Sequence, residues 1–401
     1  MVSFGVRRTL EVVLMLACVT PGAAFPQLEP LRHGDEALNR LVETIDEVRD
    51  RNGVRAPELI QPMTSLALYY MEHEDYPLAI AAIQQARQLI RVNHGLFSLE
   101  EAALLQQWIR AERARDNAAG AWDVEKKLLK LVDRNPDDVR TVPILREIAE
   151  HRLDVLDRYT RGEYPPEIVL GCYYSNPEVG ECRSGSRRRA QDALLREGLS
   201  YYSRAVNTLL GAEGWSSEEL PELLMAVVRV SYEHGRVGIG RRGLSFLQSY
   251  WVENGAPRFT QASALIQIAD WDLMFAPDHT YVDSALEVYE KAYDELERSG
   301  MARRSIDRLF RPEIPVVLPA FLPNPLATSE TAETTGFIDV TFDITREGES
   351  KDIEILDTFN ASDDEQDRLI DLIDESRFRP IVADGRVADA ARVALRYFLN
   401  D

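Results

Sequence analysis

Between about Glu36 and Phe310 the apolar positions recur every three and four residues, and clusters of Gly, Asn, Asp and Pro interrupt them. That period predicts helices throughout, taken in short pairs. The clearest pair sets Met63, Leu66, Ala67 and Tyr70 on one face and, after Asp75 and Tyr76, sets Ala79, Ile83 and Ala86 on another. Small residues facing small residues let two helices approach closely, with Tyr70 filling the turn end. The run from Gly238 through Gly240 to Gly243 has no strand before it and reads as a turn between helices. Beyond Gly336 the period drops to two. Ile338, Val340, Phe342 and Ile344 alternate with Asp339, Thr341, Asp343 and Thr345, which predicts a strand with one apolar face. Arg346 to Glu349 supplies a turn with Gly348 at positive φ, and Ile353 to Phe359 returns as a second strand. Ser362 to Glu365 has the form of a capping box and feeds a helix through Leu369, Ile370, Leu372 and Ile373. The helix should stop before Arg377, and a last strand is expected within Val393 to Leu399.

The two patterns meet in a stretch with Pro312, Pro315, Pro319, Pro323 and Pro325, followed by a Ser/Thr/Ala/Glu run to Thr335. Closely spaced prolines oppose helix and favour an extended connection. The expected organisation is therefore a leader at 1–24, a helical array at 25–310, a linker at 311–335 and a small α+β module at 336–401. The fold class is mostly α. At 401 residues there is chain enough for two or three domains with cores of their own.

The amino terminus places Arg7 and Arg8 before a short apolar run and small residues up to Ala24, the pattern of a cleaved export signal, although Glu11 interrupts the run. The run is about half the roughly 20 residues that a membrane anchor requires. A second reading makes Cys18 the lipid-bearing residue of a lipoprotein. Cleavage after Ala24 leaves Cys172 and Cys182, and an even pair in an oxidising compartment suggests a disulfide, with Asn176, Pro177 and Gly180 turning the chain between them.

The positions of the first helical pair resemble the tetratricopeptide repeat, whose 34-residue pattern matches Met63, Leu66, Ala67, Tyr70, Ala79, Ile83 and Ala86. Arg91 stands where that pattern has Pro. A weaker unit follows through Trp108, Ala111, Val124, Leu128, Leu131 and Pro136, with Glu112 and Arg115 at the usual small and Tyr positions. Trp271, Ala285, Tyr289 and Ala292 repeat the signature later. The resemblance implies a helical-hairpin solenoid that binds proteins or peptides on its concave face. The last segment resembles the carboxy-terminal domain of the TonB energy transducers, through Gly336, Val340, Phe342, Ile344, Gly348, Ile353, Ile355, Leu369, Phe378, Arg379, Pro380 and Gly385. In that family the domain receives an extended peptide of an outer-membrane transporter along its sheet. The resemblance implies a Gram-negative periplasm as the compartment, soluble after signal cleavage. A true transducer retains an amino-terminal membrane helix and a long spacer, so a binding fold transfers better than a motor.

The net charge of −21 leaves little support for a dominant nucleic-acid face. No metal-ligand spacing, phosphate loop or nucleophile elbow is found, and the six His are scattered. No cofactor, metal or catalytic residue is expected. The reading is a periplasmic adaptor or scaffold that binds an envelope or outer-membrane protein, with an energy-transduction component or an envelope enzyme as alternatives. A homo-oligomer closed through the sheet edge is a further option. Candidate binding residues are Tyr69, Trp108, Arg379 and Arg396, while Gly348, Phe378 and Pro380 are structural. Arg377 and Arg379 could meet peptide carboxylates or pair with Asp374 or Glu375 at the helix end.

Overall fold

A computed structural model of the chain describes residues 36–170, 187–277, 279–331 and 333–400. The described residues are mostly helical and end in a small open sheet that does not close into a barrel. The helices are α1 (Glu36–Asn52), α2 (Ile60–Glu72), α3 (Tyr76–His94), α4 (Glu101–Ala114), α5 (Ala118–Asp133), α6 (Val142–Thr160), α7 (Glu167–Leu170) and α8 (Arg187–Ala212). They continue as α9 (Leu220–Glu233), α10 (Val237–Glu253), α11 (Arg258–Met274), α12 (His279–Arg298), α13 (Arg303–Phe310) and α14 (Asp363–Glu375). The strands are β1 (Thr334–Thr345), β2 (Ser350–Phe359), β3 (Val382–Ala383), β4 (Arg386–Val387) and β5 (Ala390–Asn400). The chain forms two compact units that divide inside α5, between Lys127 and Leu128.

In the first unit α2 and α3 pack against each other. Met63, Leu66, Ala67 and Tyr70 are buried, and Ala79, Ile83 and Ala86 are completely so. Removing a wide apolar stripe from water is what holds such short helices, which are marginal alone. A buried charge also ties α3 to α4. Glu101 receives Arg87 Nη2 at 2.9 Å and Arg91 Nε at 2.8 Å.

In the second unit α6 packs on α8, α9 on α10 and α11 on α12. α11 is buried on several faces, through Ala262, Ile266, Ile268, Ala269, Trp271 and Leu273, because α10, α12 and the carboxy-terminal segments all lie against it. Gly240 and Gly243 do not form a turn; both lie inside α10. A Cβ at Gly240 would sit 2.3 Å from the Trp271 ring and one at Gly243 2.9 Å from Val228, so the glycines serve close helix packing.

The sheet order is β2-β1-β5, antiparallel throughout. Ile338, Val340, Phe342 and Ile344 form its buried face with Leu369 and Ile373 of α14, Phe378 and Leu326. β5 begins at Ala390, earlier than its Ala-rich start suggests, because its ladder with β1 extends to the Thr345 pair. A further hairpin, β3–β4, turns through Asp384 and Gly385, both at positive φ, as a two-residue hairpin turn requires. The Pro-rich stretch is packed. Leu318 and Leu326 are buried, the Leu318 amide donates to the Arg377 carbonyl at 2.8 Å, and the Arg379 amide donates to the Val316 carbonyl at 2.9 Å.

Ser362 caps α14 by accepting from the Glu365 amide, while the Glu365 carboxylate accepts from the Ser362 amide at 2.8 Å. Ser362→Ala is expected to cost about 1 kcal/mol in a urea titration. An unchanged midpoint would show that the acidic first turn suffices.

The expected Cys172–Cys182 disulfide is withdrawn: no disulfide bond is found among the described residues, and both cysteines, with Cys18, lie outside them. An even cysteine count gives a stoichiometry, but a disulfide also needs two Cα atoms within about 7 Å, which spacing alone does not supply. The leader at 1–24 also lies outside the described residues. No helix among the described residues is long and apolar enough to cross a membrane.

Candidate protein-binding site

The Arg-Phe-Arg-Pro segment is built into the second unit by both arginines. Arg379 forms a two-pronged pair with Asp270 of α11, Nε to Oδ1 at 2.9 Å and Nη2 to Oδ2 at 2.6 Å. The Tyr289 hydroxyl of α12 donates to the same Oδ1 at 2.7 Å. The Arg379 and Asp270 side chains are only 11% and 5% exposed. Burial opposes the charge on Arg379, yet the Asp270 carboxylate and Tyr289 outweigh it and hold the guanidinium above its ordinary range. Burial, then the Asp270 charge, pushes the Tyr289 hydroxyl well up. Arg377 reaches Glu349 at 2.9 Å. Neither arginine takes Asp374 or Glu375, because the chain turns away from α14 after Ser376 toward α11 and the β1–β2 turn.

Around this clamp the module is fastened to the helices. Arg346 pairs with Asp283 at 2.7 Å and Arg386 with Glu290 at 2.6 Å. Phe378 packs on Phe342 with ring centroids 5.3 Å apart, inside the sheet core. Pro380 is buried beside it.

What faces outward is the other side of the sheet and its ends. Across the strands Phe359, Phe337 and Phe398 align, followed by Asp357, Asp339 and Arg396. Phe337 and Phe359 stack at 6.0 Å, and Phe359 is 56% exposed. Arg396 lies 4.0 Å from the centre of the Phe337 ring and grips Asp339 through Nε and Nη2, both at 2.7 Å. That hydrogen bond holds the Asp339 carboxyl below its usual range. Arg392 donates to Glu354 at 2.6 Å.

The two sheet edges differ. β2 breaks register with β1 twice and carries Asp352 at positive φ, features that disfavour further pairing. β5 pairs regularly with β1 from Phe337 to Thr345, and no described strand lies on its other side. The Phe398 amide donates to Thr328 Oγ1 at 2.9 Å instead of to β1, and strand alternation then directs the amides of Arg392, Ala394 and Arg396 outward as well.

The sequence candidates are therefore not one cluster. Tyr69 of α2 stacks on His73 at 4.0 Å. Trp108 of α4 is buried, donates to Glu112 at 2.9 Å and has Lys127 Nζ 4.6 Å above its ring. Arg379 is enclosed in the clamp, and Arg396 stands on the open sheet face. Asp270 and Ala394 are not among those candidates. An acid among Ile266, Ile268, Ala269 and Trp271 is a sequence signal for a buried ion pair, whereas nothing in the sequence distinguishes Ala394. Among the described residues no group of three or more His, Cys, Asp or Glu could hold a metal ion.

No family model matches the chain, and no curated protein matches it. Among solved structures, BtubC (BKLC) from P. vanneervenii is 12% identical with a TM-score of 0.35, over 74% of this chain and 94% of its own. A kinesin light chain of Podosopora anserina with nearly identical TPR-like repeats is 11% identical with a TM-score of 0.32, over 64% of this chain and 99% of its own. Likeness at that level assigns neither a fold family nor an activity.

Proposed function

We propose that this chain is a protein-binding adaptor, not an enzyme, and that it takes an extended segment of its partner as a fourth strand on β5. The helical pairs offer surface for protein contacts. In this reading they form a tetratricopeptide-like array, and the last segment is a TonB-like carboxy-terminal module serving as a binding fold. The leader pattern supports export and a periplasmic, soluble protein that meets an envelope partner. The observation that carries the proposal is the β5 edge, whose regular ladder leaves the amides of Arg392, Ala394 and Arg396 directed away from β1. Strand addition uses such groups for affinity and alternate side chains for specificity.

Proline separates edge pairing from folding. At Ala394 it removes an outward donor and no bond to β1, a position where edge strands tolerate it. The full chain should show saturable binding to members of an array of extended peptides. Ala394→Pro should weaken that binding by at least about tenfold, with its cooperative unfolding retained. Undiminished binding by the folded variant would place recognition elsewhere.

A further inference from the structure

We infer that the β5 edge selects its partner on one face only: it takes an extended segment with apolar residues at alternate positions, seated beside Val393 and Leu395, and leaves the positions between them unselected. The inference rests on strand addition at β5 and names the residues that choose the added strand.

The open face holds nothing at the edge itself. Arg396 gives Nε and Nη2 to Asp339 on β1, and Arg392 gives Nη2 to Glu354 on β2, with its Nη1 3.6 Å from Asp343. Both side chains therefore cross the sheet away from the edge, and their charges are met there. Between them stands the methyl of Ala394. Side chains that an added strand places on this face meet that methyl, the arginine stems and water.

The covered face is different. Val393 and Tyr397 pack on the sheet core yet are only half-buried, and Leu395 between them is buried. Against Val393 lies a crevice of about 10 Å³, lined by Phe310, Pro312, Val316, Ile344 and Ile381 among others, with Arg379 as its one charged neighbour. Such a space has room for about one methyl-sized group. Ladder geometry sharpens the contrast between the faces. The outward amides belong to Arg392, Ala394 and Arg396, so in an antiparallel fourth strand the residues opposite Val393 and Leu395 form the non-hydrogen-bonded pairs, where side chains approach most closely. Apolar side chains there extend the core by one strand and take the exposed flank of Val393 out of water. A polar side chain in the same place would be desolvated against apolar neighbours.

The test titrates the full chain by fluorescence anisotropy with a labelled, capped peptide of alternating serine and valine, and with an isomer that carries the same residues as a serine block and a valine block. Only the first sets all its valines on one face of a strand. It should bind roughly tenfold more tightly than its isomer. Glutamine in place of the serines should change its binding by less than about threefold. Ala394→Pro should weaken both isomers. Val393→Thr keeps the branched shape, so this variant should retain cooperative unfolding while the difference between the isomers narrows. Equal binding of the two isomers, weakened by Ala394→Pro, would overturn the one-face selection and leave strand addition standing. A preference that Val393→Thr leaves at full size would overturn the role of Val393. A tenfold loss on the change to glutamine would mean that the open face selects as well, against the inference. Binding of neither isomer would overturn both the selection and strand addition.

Discussion

Asp270→Ala is expected to lower the unfolding free energy by about 3–5 kcal/mol, because it strips the partner from an arginine that the fold keeps out of water. The Arg379 guanidinium gives two charge-assisted hydrogen bonds to that carboxylate, at 2.9 and 2.6 Å. Without it the charge stays among Trp271, Tyr289 and the Pro-rich segment with nothing to offset its desolvation. The Tyr289 hydroxyl loses its acceptor in the same step. Denaturant titration of the full chain measures the loss. Asp270→Leu with Arg379→Met should recover a large part of it, since exchanging a whole buried pair for apolar groups is far less costly than halving it. A loss below about 1 kcal/mol for Asp270→Ala, the scale of an exposed ion pair, would mean that water reaches the clamp.

The clamp also bears on alkaline stability. Burial, then Asp270, raises the Tyr289 hydroxyl well above the ordinary tyrosine value near 10. The folded chain therefore keeps this proton at pH values where the unfolded chain has lost it. Stability from this source is full below about pH 10 and declines as pH rises further. Tyr202, pushed up to about 12 chiefly by burial, acts in the same direction.

The clamp shows how far the sequence reaches. Periodicity finds α2 and α3 because each buries one stripe, so Met63, Tyr70 and Ala86 declare themselves by spacing alone. It also finds β1, where apolar and polar residues alternate without a break from Ile338 to Thr345. It misreads Gly240 and Gly243, since a glycine that admits Trp271 and a glycine that breaks a helix look alike until the neighbouring helix is present. Arg379 stood out through its motif, but its partner lies 109 positions away on α11, and no local pattern encodes a contact at that separation. The β5 edge was legible only as a property of a sheet. Which edge is regular depends on the bulges of β2, and those follow from tertiary packing.

Gly348→Ala is the second large effect, expected to cost roughly 3–4 kcal/mol, with strain and a backbone collision acting together. Gly348 closes the β1–β2 turn at φ +76, where an L side chain costs about 1–2 kcal/mol. A Cβ there would also stand 2.2 Å from the Phe378 carbonyl oxygen, with Leu273 of α11 at 3.2 Å on another side. Backbone cannot rotate away as a flexible side chain can, so the turn and the segment around Phe378 must separate. That strains the 2.8 Å bond from the Phe378 amide to the Gly348 carbonyl and, next to it, the clamp at Arg379. Gly385 is the control. It has a similar φ of +80, but its nearest neighbour to a Cβ is Tyr293 at 3.5 Å, which is ordinary contact. Gly385→Ala should therefore carry the conformational cost alone, about 1 kcal/mol. If the two alanine variants unfold at the same denaturant concentration, the β1–β2 turn has room to move. The sheet would then be seated by Arg379 and Asp270 without help from the close approach at Gly348.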